Sequence, residues 1–171
     1  MTVRPPPRAA GMRILIFGNS GSGKSTLARR LSSKHGIPIL DLDGMVWSRS
    51  EYAVLRPEAD ILADLMAFVR SNDSWIVEGC YGRVMARLLG TCTQMIFVNP
   101  GEAACLRNCR ARPWEPAKYA SKSAQDEKLP LLLAWASAYY SRSDDMSFAA
   151  HRRLYDSFTG AKREVTDESA R

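Results

Sequence analysis

Gly18-Asn19-Ser20-Gly21-Ser22-Gly23-Lys24-Ser25-Thr26 follows the apolar run Arg13-Ile14-Leu15-Ile16-Phe17 and precedes Leu27-Ala28-Arg29-Arg30-Leu31, whose pattern predicts a helix. A loop of this wording between a strand and a helix binds phosphate. The pattern G-x-x-x-x-G-K-[ST] needs glycine because the backbone must curl until consecutive N–H groups converge on one anion. Lys24 is the candidate cation for the β- and γ-phosphates, and the Ser25 hydroxyl is the candidate Mg²⁺ ligand. The N-terminus of the following helix adds partial positive charge. Residues Gly18 through Thr26 therefore form the expected nucleotide-triphosphate-binding segment.

Moving outward, Ile37-Pro38-Ile39-Leu40-Asp41 reads as a short buried strand that ends in Asp41-Leu42-Asp43. Pro57 ahead of Ile61, Leu62, Leu65, Phe68 and Val69 opens a helix. Ser74-Trp75-Ile76-Val77-Glu78 and Gln94-Met95-Ile96-Phe97-Val98 read as two further strands. Leu129, Leu132, Leu133, Ala136, Tyr139 and Tyr140 mark one face of a long helix, and Ser147 caps another that runs to about Phe158. Trp75, Trp135, Tyr139 and Tyr140 are assigned to the core. Strand alternating with helix implies a parallel sheet with right-handed crossovers and helices on both faces, a three-layer α/β/α arrangement. Four strands are legible and no convincing fifth, so a short sheet of four to five strands is expected.

With 171 residues, 46% of them hydrophobic, the chain suits one domain with a real core. The expected organisation is a proline-rich disordered leader over residues 1–11, one domain over 12–163 with a lid around 110–126, and a frayed tail over 164–171. No apolar run approaches the roughly 20 residues of a membrane span, and no signal-peptide core is present, so a cytoplasmic protein without a membrane partner is expected. Cys80, Cys92, Cys105 and Cys109 form no C-x-x-C pair and read as reduced thiols. The net charge of +6 suits an anionic ligand. Its basic residues form no long run with interleaved aromatics, which disfavours nucleic acid as a partner. The oligomeric state is left open.

Phosphoryl transfer is largely positioning and electrostatics, so a carboxylate near the metal, a basic lid and an acceptor pocket are the further parts to look for. Glu78 closes an apolar strand in the manner of a metal-associated acid, and Asp41 and Asp43 close its neighbour. Glu78 and Asp41 are the metal candidates beside Ser25. Asp43 either meets the acceptor hydroxyl or caps a turn. Arg107, Arg110 and Arg112 lie at or beyond the end of a helix that Pro113 terminates; they either complement its dipole or fold over the triphosphate as catalytic cations, with Lys24. Arg83 follows the third strand and could grip an acceptor, while Trp47 and Tyr81 could stack on a planar one; core packing explains Trp47 as well.

With these residues in hand, the chain resembles the small P-loop kinases of the adenylate kinase and shikimate kinase group. It is most similar to the bacterial adenylate-kinase-related subgroup, some of whose members are labelled topology modulation protein. The segments that carry the resemblance are Gly18 to Thr26, Leu42-Asp43-Gly44-Met45-Val46-Trp47, and Trp75 to Gly79, within residues 12–112. Asp41-Leu42-Asp43 and Arg110-Ala111-Arg112-Pro113 look like shikimate kinase segments, and Glu78-Gly79 with Arg83 is similar to the adenylate kinase acceptor loop. The resemblance implies a P-loop NTPase fold, ATP and Mg²⁺ as cofactors, and phosphoryl transfer to a small hydroxylated or nucleotide-like acceptor. A nucleotide-dependent regulator or nucleic-acid-associated ATPase is the alternative that the loop itself also allows.

Overall fold

Ile14, Leu15, Ile16 and Phe17 are all excluded from water, and a strand apolar on both faces needs a layer of structure on each side. The computed structural model, which describes residues 11–48, 54–116 and 118–167, supplies both layers. The strands are β1 (Arg13–Gly18), β2 (Ile39–Asp41), β3 (Trp75–Gly79), β4 (Gln94–Val98) and β5 (Ala161–Val165). They form one parallel sheet in the spatial order β2-β3-β1-β4-β5. The helices are α1 (Lys24–His35), α2 (Asp43–Val46), α3 (Glu58–Ser71), α4 (Gly82–Ala86), α5 (Glu102–Arg110), α6 (Lys122–Ser137) and α7 (Phe148–Ser157).

Strand alternation sorts the core into two clusters. Ile14, Ile16, Ile76, Ile96 and Val98 pack with Leu27 and Ala28 of α1 on one face. Leu15, Phe17, Val77, Met95 and Phe97 pack with Ile61 and Leu65 of α3, Met85 of α4 and Leu154 of α7 on the other. Each fully buried Leu, Ile or Phe contributes about 1.5–3 kcal/mol, so both clusters hold the sheet between its layers. The chain leaves β1 toward β2 on one side and reaches β4 on the other, which puts the reversal of strand order beside β1. A parallel sheet opens a ligand crevice at that place, outside the C-terminal ends of its strands.

The four strands and the helices legible in the sequence are all present, and Ser147 caps α7 by accepting from the Ala150 N–H at 3.2 Å. The sheet has the upper of the four to five strands expected, the fifth being Ala161–Val165 at its edge. Only Val165 of that strand is buried, which is why no apolar pattern announced it. Two expectations are corrected, the frayed tail from residue 164, since Glu164 and Val165 are in register with β4, and the core placement of Trp135 and Tyr140. Trp135 and Tyr140 are surface residues, 38% and 41% exposed, whereas Trp75 and Tyr139 are buried. Arg142 covers the Trp135 ring at 3.4 Å, and the Tyr140 hydroxyl donates to Asn99 Oδ1 at 2.7 Å. The guanidinium thus covers the Trp135 ring face, and the Tyr140 hydroxyl finds its partner at the surface. The leader expected over residues 1–11 lies outside the described residues except for Gly11, as does the tail beyond residue 167.

Candidate active site

The loop between β1 and α1 is built from backbone. Gly21 adopts φ 74° and Gly23 φ 93°, left-handed conformations that glycine alone takes without strain. A Cβ on Gly21 would stand 2.2 Å from the Cys105 carbonyl oxygen, so the loop lies directly against α5. Gly23 caps α1 without a side-chain hydrogen bond, and the first turn of α1 holds no acid. Its N–H groups are thereby left for an anion. Two asparagines fasten the loop to its neighbours, one from outside it and one from within. Asn108 Nδ2 of α5 donates to the Gly21 carbonyl at 2.9 Å, and buried Asn19 Nδ2 donates to the Ala136 carbonyl of α6 at 2.8 Å.

Lys24 Nζ rests 3.4 Å from the carbonyl of Asn19, within the curl of the loop. Burial pulls its pKa down, but the nearby carboxylates of Glu78 and Asp43 outweigh this, so the ammonium is held. Parallel register sets Asp41 beside Glu78 across β2 and β3. Burial raises the Glu78 pKa against Lys24 and a hydrogen bond from Ser25, which lower it. Ser25 and Glu78 are therefore hydrogen-bonded neighbours. Glu78 Oε2 and Ser22 Oγ are buried without a hydrogen-bond partner. An orphaned carboxylate oxygen next to a hydroxyl and a phosphate loop fits a hydrated divalent cation, which Ser25 and Glu78 would hold. Among the described residues no cluster of three or more His, Cys, Asp or Glu could hold a metal alone.

At the other end, Asp43 begins α2 and its N–H is accepted by Asp41 Oδ1 at 2.9 Å, a local turn that aims both acids at the crevice. Burial raises the Asp43 pKa, but Lys24, Lys118 and the Tyr81 hydroxyl outweigh it and keep the group an anion. Asp41 moves the opposite way: burial and its neighbour Asp43 raise it. The Tyr81 hydroxyl donates to Asp43 Oδ1 at 2.8 Å and accepts from Trp47 Nε1 at 2.8 Å. Burial and the Asp43 charge raise the Tyr81 pKa strongly, so this phenol stays a donor. Tyr81 is only 6% exposed, which corrects its reading as a stacking surface; Trp47, 37% exposed, keeps an open face.

The sequence-predicted cations fall into different places. Arg107 and Arg110 occupy the last turn of α5, exposed, and Arg112 lies just beyond it. Arg112 pairs with Glu115 at 3.3 Å. Arg83 is 70% exposed and pairs with Glu58 of α3 at 3.7 Å. Sequence reasoning missed Lys118, whose Nζ stands 3.4 Å from Asp43 Oδ2; no motif marks it. It also missed His151, fully buried beneath the turn after β3. His151 Nε2 donates to the Cys80 carbonyl at 2.7 Å, so neutral Nδ1 accepts from the Tyr139 hydroxyl at 2.7 Å. All four cysteines are free, and burial pushes Cys80 up to about 12.

A five-stranded parallel sheet with a phosphate loop at its switch point and acids on the neighbouring strand ends defines a P-loop kinase-like domain. The chain belongs to the AAA domain family, whose model matches residues 14–129. A cytidylate kinase from Methylobacterium sp. (strain 4-46) is 30% identical over 101 residues, covering 59% of this chain and 48% of that protein. The match spans about half the length of that relative. The fold is similar to that of a gluconokinase from Sinorhizobium meliloti 1021, with a TM-score of 0.56, 15% identity, and coverage of 95% of this chain and 87% of the other. No described helix is long and apolar enough to cross a membrane.

Proposed function

We propose that the chain is an ATP- and Mg²⁺-dependent phosphotransferase acting on a small hydroxylated or nucleotide-like acceptor. The observation that carries this reading is the meeting, at one end of the sheet, of Lys24 and Ser25 with Glu78, Asp41 and Asp43 beneath a basic lid segment. Kinases appear among the similar proteins, one acting on a nucleotide by name and one on a sugar acid, which supports the reaction class and leaves the acceptor broad. The wording of residues 18–26, 42–47 and 75–79 supports a place in the adenylate-kinase-related, topology modulation protein-like subgroup. The domain spans residues 12–165, with the lid around 110–126.

The loop N–H groups and Lys24 would hold the phosphates, and Ser25 and Glu78 would hold Mg²⁺, with Asp41 beside them. When bound, Mg²⁺ neutralises charge on the phosphate oxygens. Asp43 accepts the proton of the acceptor hydroxyl while that oxygen bonds the γ-phosphorus and the bridging oxygen departs with ADP. Arg107, Arg110 and Arg112 supply positive charge from the lid side as negative charge spreads over the transferring group. Acid strength is graded for these roles: Asp43 is held ionised, as an acceptor-side base must be.

ADP release is measured with ATP alone and with a panel of nucleotides, nucleosides and polyols. At least one acceptor is expected to raise the rate well above hydrolysis, and Lys24→Ala is expected to lower that rate by about 10³-fold with the fold intact by circular dichroism. ATP consumption unchanged in Lys24→Ala sinks the assignment. Hydrolysis that no acceptor stimulates, together with salt-sensitive nucleic-acid binding, favours the ATPase alternative.

A further inference from the structure

Tyr81 is the donor that holds Asp43 Oδ1, and its backbone is gripped on both sides by α7 and the loop leading into it. The carbonyl of Cys80, one residue before, accepts from His151 Nε2 at 2.7 Å, and the N–H of Gly82, one residue after, donates to the Asp145 carbonyl at 3.1 Å. A Cβ on Gly82 would stand 2.6 Å from that Asp145 oxygen and 3.8 Å from His151 Cδ2, so the turn sits directly against these residues. His151 is itself boxed in. Its ring meets Phe17 and Phe97, the penultimate residues of β1 and β4, edge-on with centroids 5.3 and 6.1 Å away, and its Nδ1 is taken by the Tyr139 hydroxyl at 2.7 Å.

We propose that His151 is a positioning residue for the acceptor end of the site, acting through the Cys80 carbonyl on the Tyr81 hydroxyl. The inference rests on the phosphotransferase reading and on Asp43 as an acceptor-binding residue. The peptide plane between Cys80 and Tyr81 ends at the Tyr81 Cα, so the bond that fixes its carbonyl also fixes the direction in which the tyrosine leaves the chain. A buried carbonyl that loses its donor turns toward another. The phenol is a long lever from that Cα, and a working site tolerates only about 10–20° of misalignment. At the lever's far end the hydroxyl keeps two bonds of 2.8 Å, to Asp43 Oδ1 and from Trp47 Nε1. A phenylalanine would fill the same aromatic box and give the carbonyl nothing, so packing alone does not call for an imidazole. The phosphate loop is fastened by other bonds, those of Asn19 and Asn108, so a loss at His151 falls on the acceptor and not on ATP.

The test measures kcat and KM for ATP and for the most stimulating acceptor of the panel above, with the full chain and Mg²⁺, at a temperature where circular dichroism shows each variant folded. His151→Asn reaches the place of Nδ1, where it still accepts from Tyr139, and falls short of the Cys80 carbonyl. It is expected to lower kcat/KM for the acceptor by about 10-fold, as Tyr81→Phe does, and to leave the KM for ATP within about twofold. The double variant is expected to lose about as much as either single one, because both break the same chain of contacts. His151→Gln, which reaches the place of Nε2 and donates there, restores most of the rate. Tyr139→Phe leaves the Cys80 bond in place and is expected to cost stability but less than about threefold in rate. If acceptors stimulate turnover but His151→Asn keeps the wild-type kcat/KM, or if its loss multiplies with that of Tyr81→Phe, the positioning role is overturned and the phosphotransferase reading stands. If no acceptor stimulates turnover, both are overturned. Should His151→Asn not fold, the long-range ¹H–¹⁵N spectrum of the wild type at pH 7 decides: an Nε2–H tautomer of His151 supports the role, and an Nδ1–H tautomer overturns it.

Discussion

At the phosphate end, nine consecutive residues from Gly18 to Thr26 supply the cradle, mostly through backbone N–H groups. At the acceptor end, Asp43 and Trp47 come from the two ends of α2, Tyr81 from the turn after β3, and Lys118 from the lid segment. The first region is one piece of chain shaped by φ angles that only glycine holds easily; the second is a set of side chains joined by single hydrogen bonds. A backbone site fails as a whole when its curl is blocked. A dispersed side-chain site fails by degrees, one contact at a time.

The largest effect that sharpens this contrast is expected from Gly21→Ala. Its Cβ would stand 2.2 Å from the Cys105 carbonyl and 2.8 Å from Cys109 Sγ, at a φ of 74°. Both loop and α5 must shift, with an expected loss of about 3 kcal/mol in urea unfolding and of detectable ATP binding. A variant with normal stability and ATP affinity breaks the contrast, because the cradle would then yield like a side-chain site.

His151→Phe comes next. It removes the imidazole that joins the Cys80 carbonyl to the Tyr139 hydroxyl, leaving both buried groups unpaired, for about 2–3 kcal/mol. Burial, aided by Lys24 and Arg142 and opposed by the Cys80 carbonyl, lowers the His151 pKa from 6.5 to about 4. Between those values the unfolded chain binds a proton that the folded chain refuses. Stability therefore falls as pH drops from about 6.5 toward 4, by at most about 1.4 kcal/mol per unit from this group. Urea midpoints at pH 7 and pH 4.5 are expected to differ less in His151→Phe than in the wild type; equal differences refute the assignment.

Smaller and graded effects are expected at the acceptor end. Tyr81→Phe removes the donor to Asp43 and is expected to lower kcat/KM for any acceptor by about 10-fold, with the melting temperature nearly unchanged. Trp47→Phe, one bond further out, is expected to cost about 3-fold. If Trp47→Phe proves the more damaging, its open ring contributes more than its tether to Tyr81.

The same contrast governs what the sequence discloses. The cradle is legible because glycine, lysine and serine at fixed spacing have one purpose between a strand and a helix. Glu78 and Asp41 are legible because they end apolar strands, and parallel pairing of β2 with β3 sets them side by side. Lys118 is illegible because nothing local ties a lid lysine to an aspartate 75 residues away. Tyr81 misleads because an aromatic after a strand reads equally as a stacking platform or a buried donor. β5 escapes notice since Ala161, Lys162 and Arg163 face water at the sheet edge. Trp135 and Tyr140 mislead in reverse: their size suggests core, but a guanidinium and an amide satisfy them outside it.

The two asparagine bonds to the phosphate loop give the lid an unusual suspension. Asn108 grips Gly21 on the way into the lid segment and Asn19 grips Ala136 on the way out. The intervening chain hangs like a stirrup from both sides of one short loop. The loop is thereby tied through side-chain hydrogen bonds both to the helix that leads into the lid segment and to the helix that leads out of it. Donor and acceptor ends, unlike in construction, share one suspension.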